Sequence, residues 1–162
     1  MEQVPEFWRT EIFHPLSVHF PIALLLMALL FKAVFFNRRN TAWAKSGTIL
    51  LFLGVLSAWI AVFTGSLADG IVSRKICDPT ILKDHENMAY FTALCFSLAL
   101  ITDLLGYPRN LITLRKPLKI FTLAVLIVGS VALVLVGHSG ASVVYQQGGG
   151  VYMPSEDCAE FE

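Results

Sequence analysis

Apolar and polar positions divide the chain into four long hydrophobic blocks joined by shorter polar stretches. The blocks run from about residue 16 to 36, 47 to 67, 88 to 105 and 118 to 145. Crossing a hydrocarbon core of about 30 Å takes about 20 helical residues, so each block is long enough to span a membrane. The stretches between them hold helix breakers or charges: Asn37-Arg38-Arg39-Asn40, Asp78-Pro79, and Gly106-Tyr107-Pro108 with Pro117. Short links between long helices place neighbours antiparallel. The predicted fold is an all-α integral membrane protein, an antiparallel four-transmembrane-helix bundle forming a single domain over residues 1–162. Residues 146–162 form an acidic tail.

Composition agrees with that pattern. Hydrophobic residues make up 56% of the chain and charged residues 15%, against about 25% charged in soluble domains. Mean hydropathy is +0.66. A net charge of +0 offers no basic stripe for nucleic acid, so the partner implied by composition is the lipid bilayer. No GxGxxG, P-loop, HExxH or nucleophile-elbow pattern occurs. No acid pair or nucleophile–base spacing stands out in the spans, so no catalytic residue is predicted. Glu2, Glu6, Glu11 and Arg9 precede the first block and no small-residue cleavage site follows it, so the first span is expected to be retained.

Charge also orients the bundle. Lys32, Arg38, Arg39 and Lys45 fall at one end with Arg109, Arg115, Lys116 and Lys119, while Arg9, Arg74, Lys75 and Lys83 fall at the other. Basic residues mark the cytoplasmic side. Both termini and the second connection are therefore expected in the periplasm, with the protein in a bacterial inner membrane. Two charges stand out: Lys32 interrupts the first block, and Asp103 is the one acid on the basic side.

In this topology all four histidines lie on the outer side. His14 and His19 open the first span, His85 the third, and His138 closes the fourth. An ionisable side chain at membrane depth is costly without a partner and flags function. Neutral imidazole is the commonest metal ligand, and facing helices are a standard place to build such a site. Two histidines on different helices also meet the axial requirement of a six-coordinate haem iron.

His19 and His85 are the predicted axial pair, because the first and third helices stand diagonally in a sequential bundle. His138 is the substitute, and His14 supports the pair or completes a second site. Pro15 gives His14 the look of a helix cap with proline at N1. Pro21 withholds the amide that would pair with the Ser17 carbonyl, leaving the backbone near His19 irregular. Small residues, Gly65, Ser66 and Ala68 on the second span and Gly137, Ser139, Gly140 and Ala141 on the fourth, offer slots for a macrocycle. Ala23 and Leu26 follow His19 on its face, as Ala89 and Thr92 follow His85.

Without Cys-x-x-Cys-His, a haem here is haem b. Two alternatives stay open. One is a non-haem copper or zinc site on His19, His85 and His138, with Met88 and Met153 as soft donors for copper. The other is a structural or quinone-site subunit of a larger complex. Cys77 and Cys158 both lie in outer segments, where a disulfide would pin the tail over the bundle mouth; Cys95 lies mid-span.

The stretch from His14 to Leu26, His-Pro-Leu-Ser-Val-His-Phe-Pro-Ile-Ala-Leu-Leu-Leu, resembles the opening signature of a family of bacterial membrane proteins known as domain of unknown function 2231. His85 near the third span and the close from His138 to Tyr145 are similar to the same family. Gln147 departs from it, standing where many members carry a histidine. The family has no settled activity. Some relatives are fused to c-type cytochrome domains, and the resemblance thereby implies membrane electron transfer with a c-type cytochrome or another redox subunit as partner.

Overall fold

The computed structural model describes residues 8–38, 41–106 and 113–151. A 3-10 turn, Thr10–Ile12, leads into the short helix α1, Phe13–Ser17, and then α2, His19–Arg38. Three long helices follow: α3 over Thr41–Val72, α4 over Pro79–Leu105 and α5 over Arg115–Tyr145. All four hydrophobic blocks are helices long and apolar enough to cross a membrane. The large apolar side chains left on the outside, such as Phe20, Phe52, Phe63, Phe91 and Val134, face lipid.

The helices outrun the predicted spans. Asp78 and Pro79, expected to break the second connection, instead start α4. Asp78 Oδ1 accepts from the Thr80 amide at 3.0 Å and from its hydroxyl at 2.6 Å, while Pro79 occupies the first turn, where a missing N–H costs nothing. The polar run from Lys83 to Asn87 therefore rides on a helix, braced by a Lys83–Glu86 pair. At the other end of the chain, Pro21 leaves its mark at Val18, where α1 and α2 part.

α2 packs on α3 and α4 on α5, while α3–α4 and α2–α5 contacts close the ring and leave α2 and α4 across the diagonal. The middle of the bundle is filled by Leu25, Leu51, Phe96 and Leu126, all with no exposed surface. Lipid tails are as apolar as leucine, so close packing rather than water exclusion holds such helices together. Glycine permits that approach: a methyl added at Gly54 would stand 2.5 Å from Leu25 Cδ2, and one at Gly129 would stand 3.2 Å from Phe96 Cζ. This layer separates two polar regions, one at each end.

Candidate functional site

The turn at Thr10–Ile12 brings α1 against the far end of α3, and there His14 turns inward rather than capping a helix. Its Nδ1 lies 2.9 Å from the Ala61 carbonyl. One turn on, the Ser17 and Thr64 hydroxyls meet at 2.9 Å and tie the same two helices. From the opposite side, His85 Nδ1 meets Ser139 Oγ at 2.9 Å. The two imidazoles stand 6.0 Å apart, centre to centre, with their planes inclined at 75°.

The hydrogen bonds assign one tautomer. A carbonyl can only accept, so His14 Nδ1 carries the proton and, in the neutral ring, its Nε2 keeps a lone pair. Ser139 Oγ lies between His85 Nδ1 at 2.9 Å and the Val136 carbonyl at 3.0 Å, and the His85 tautomer follows whichever of them takes the hydroxyl proton. Fixing a ring by its other nitrogen is how proteins orient imidazole ligands.

Glycines seat both rings. A methyl at Gly65 would come 3.1 Å from His14 Cε1, and one at Gly140 would come 2.9 Å from His85 Cε1. These small residues, expected to leave slots for a macrocycle, instead receive the histidines themselves. The rings line a cavity of about 610 Å³ whose wall includes Leu25, Ala58, Ala61, Ala68, Ala89, Thr92 and Val136. Glu11, Asp69 and Glu86 also reach the wall, which among the described residues contains no lysine or arginine.

Glu11 is only 7% exposed and pairs with Arg9 at 3.4 Å. Arg9 in turn donates to the Gly150 carbonyl at 3.4 Å. Gly148 and Gly150, at φ +67° and +75°, fold the chain back over this end of α5 in a conformation that favours glycine.

The structure reorders the sequence-predicted residues. His14, ranked below the others, is the partner of His85. His19 lines the same cavity but its side of the helix is exposed. His138 is exposed and lies off the cavity wall, because the continuing α5 helix turns it away from Ser139 and Gly140. Ala89 and Thr92 reach the cavity, whereas Ala23 and Leu26 do not.

Met88 packs into the apolar core. Met153 and Cys158 fall outside the described residues, and with them the proposed Cys77–Cys158 disulfide. Gln147 accepts from the Asp78 amide at 3.3 Å and joins the end of α5 to the start of α4. No group of three or more His, Cys, Asp or Glu side chains among the described residues is arranged to hold a metal ion.

A family model for a predicted membrane protein, DUF2231, matches residues 11–153. The chain belongs to the DUF2231 family. No curated protein and no solved structure matches it. The matched region of this DUF2231 protein runs from Glu11 through the histidine pair to the glycine turn, so the whole cavity lies within it.

Sequence reasoning missed Ser139 and the Ala61 carbonyl as the groups that orient the rings, and Glu11 as a buried acid. Glu11 and His14 sit three residues apart, a helical spacing that puts both on one face. That signal was present.

Proposed function

We propose that this protein is a bacterial inner-membrane bundle of antiparallel helices, both termini periplasmic, that binds haem b through His14 and His85 and relays electrons. The observation that carries this reading is the neighbouring pair of imidazoles from two different helices, each held at Nδ1 by a hydrogen bond. The ring centres stand 6.0 Å apart, near enough for both imidazoles to reach one metal at the usual nitrogen–metal distance of about 2 Å.

Two protein ligands suit a haem iron, whose other four positions the macrocycle supplies. A bare zinc site would need more donors than this cluster has. A largely apolar cavity of about 610 Å³ also exceeds what an ion needs and falls within the usual range for organic ligands. Bound haem would supply one-electron chemistry; the chain's part would be to hold the iron, orient both rings and exclude water. The orientation rests on Lys32, Lys45, Arg115, Lys116 and Lys119 gathering at the end away from the histidines. The fusion of some relatives to c-type cytochromes supports a redox partner of that class.

A second reading, a non-haem copper or zinc ion, draws on a different observation. Glu11, Asp69 and Glu86 line the cavity; Glu11 is paired with Arg9 and Glu86 with Lys83, and carboxylates at a cavity wall suit a metal cation better than haem propionates.

The absorption spectrum of full-length protein from haem-sufficient cells separates the two. A Soret band is expected, lost in His14→Ala and in His85→Ala and kept in His138→Ala. Absence of the band, or its survival in both of the first two variants, would overturn the haem reading. Stoichiometric copper or zinc by elemental analysis, with no Soret band, would establish the second.

A further inference from the structure

The wall of the histidine cavity is not closed evenly. Around the ring of four long helices, α2 and α5 make the loosest contact. Exposed residues of the cavity wall gather there: His19 and Ile22 on α2, and Gly137, Ala141 and Tyr145 on α5. Among the described residues α3 adds only Ser66 to that exposed set, and α4 adds none. A methyl at Gly137 would meet no described atom within 4 Å, so the gap is left unfilled. The water-facing end is strapped instead. Arg9 reaches from the N-terminal turn to the Gly150 carbonyl at 3.4 Å. Gly149 packs so closely that a methyl there would stand 2.7 Å from Val143 Cγ1 and 3.2 Å from Val72 Cγ1. The cavity is thus tied across on the side of water and open on the side of lipid.

Its depth decides what fits. Gly140 seats His85, and α5 carries Gly137 about one turn and Leu133 about two turns nearer the membrane middle. In that deeper part Leu25, Ala58, Ala93, Leu133 and Val136 form an apolar wall interrupted by Thr92. Thr92 is buried and gives its hydroxyl proton to the Met88 carbonyl at 2.8 Å, so its oxygen still accepts. Nearer the outer end the carboxylates of Glu11, Asp69 and Glu86 also accept, and no lysine or arginine among the described residues lines the wall to receive a phosphate. The matching ligand has an apolar body that dissolves in the bilayer and a neutral head that donates hydrogen bonds.

We propose that the slot between α2 and α5 admits a quinol from the bilayer, its tail leaving between Ile22 and Gly137 and one head hydroxyl donating to Thr92 Oγ1. The choice of a redox lipid rests on the electron-relay reading; the opening itself does not. Thr92 lies about two turns below His85, so the quinol head and a group held by the histidine pair sit at different depths. Because the wall offers acceptors, the quinol, with two hydroxyls, binds better than the oxidised quinone, which has none.

The test measures the melting temperature of the full-length protein in an uncharged detergent without oxygen, with decylubiquinol, decylubiquinone or decanol added separately. The quinol is expected to raise it by several degrees, the quinone by less, and decanol not at all. Gly137→Leu with Ala141→Leu, which fills the slot from the α5 side, should at least halve the quinol rise. Gly70→Leu, at a glycine of α3 that is equally open and off the cavity wall, should keep it in full. Thr92→Val should bring the quinol rise down to that of the quinone, and Thr92→Ser should preserve the difference. Native mass spectrometry, reading retained quinol directly, should give the same ranking. Equal rises with quinol and decanol, equal losses in the slot and Gly70 variants, or a quinol preference that survives Thr92→Val would overturn the proposal. The Soret band of the same samples reports on haem separately: quinol binding without it would leave the slot standing and remove the haem reading, and the band without quinol binding would do the reverse.

Discussion

The two ends of the bundle both carry polar groups across the diagonal between the first and third spans, yet they treat them differently. At one end Lys32, 7% exposed, spends all three ammonium protons: on Asp103 at 2.5 Å, Thr48 Oγ1 at 2.7 Å and the Ala44 carbonyl at 3.3 Å. Thr48 then donates to Asp103 Oδ2 at 2.6 Å, and Thr102 and Thr122 meet beside it at 2.9 Å. Nothing on this lysine is left to offer. At the other end His14 and His85 each hold Nδ1 in a hydrogen bond and line a large cavity. A saturated buried network fixes a structure, whereas a half-satisfied one in a cavity is built to receive something. Charge within a membrane is therefore not by itself a functional mark; the count of unused donors and acceptors is more informative.

Breaking the saturated end should have the largest effect. Asp103→Leu leaves the Lys32 ammonium buried without its counter-ion, and loss of one partner from such a pair costs about 3–5 kcal/mol. Adding Lys32→Met should restore most of the loss, because apolar replacements of a whole buried pair are often neutral or better. Melting temperatures of the single and double variants in detergent check this. If the double variant melts no higher than the single, the pair is not the self-contained unit described above. The Soret band of the double variant should match that of the parent chain.

Two glycine substitutions should separate fold from site. At Gly54 an added methyl meets Leu25 Cδ2 at 2.5 Å, inside a core with no exposed surface. Overpacking of this kind costs about 1–3 kcal/mol, so Gly54→Ala should lower the melting temperature and leave the cofactor spectrum unchanged. At Gly140 the methyl meets the end of a side chain, His85 Cε1 at 2.9 Å, and that ring can swing into the cavity. Gly140→Ala should therefore cost little stability while weakening cofactor retention by at least about tenfold, the scale on which loss of a ligand's supporting contacts acts. The reverse ranking would make Gly140 a packing residue and remove the argument that it seats a ligand.

The spans were legible because hydropathy over about 20 residues is a strong, local signal. Their ends were not, since Asp78-Pro79 reads equally as a breaker or as a cap with proline at N1; only the Thr80 hydrogen bonds decide between them. The lysine end was half legible. Lys32 and Asp103 each stood out alone, yet pairing them requires knowing that residues 71 apart share a level. Which histidine stands beside His85 was not legible for a related reason. Diagonal placement of the first and third spans was sound, but the choice between His14 and His19 depends on which way each ring rotates about the axis. That direction is set at Val18, where the helix breaks, and by Gly65 across the interface. Pro21 announces the break, but the contact with Gly65 has no signature in the sequence near the histidines.

The smallest expected effect tests how far disturbance travels toward His85. Hydrogen bonds from the Thr80 hydroxyl and amide hold the Asp78 carboxyl below the usual carboxylate range. Because the folded value is the lower one, the cap's contribution is full above the unfolded value of about 3.9 and is lost as pH falls through the folded value. Asp78 is exposed, so the loss is slight. It should appear as faster amide exchange at Thr80 in Asp78→Ala, with the parent chain approaching the variant on acidification. Fraying should stop within the first turn, because Ile81 and Leu82 pack against Val72, Ile76 and Val143 and Lys83 pairs with Glu86. Those contacts lie between the cap and His85, so the haem band of Asp78→Ala should equal that of the parent chain at neutral pH. A weakened band would mean that the ring position depends on the helix start as well as on Ser139 and Gly140, and that the histidine end is the more pliable of the two in its backbone too.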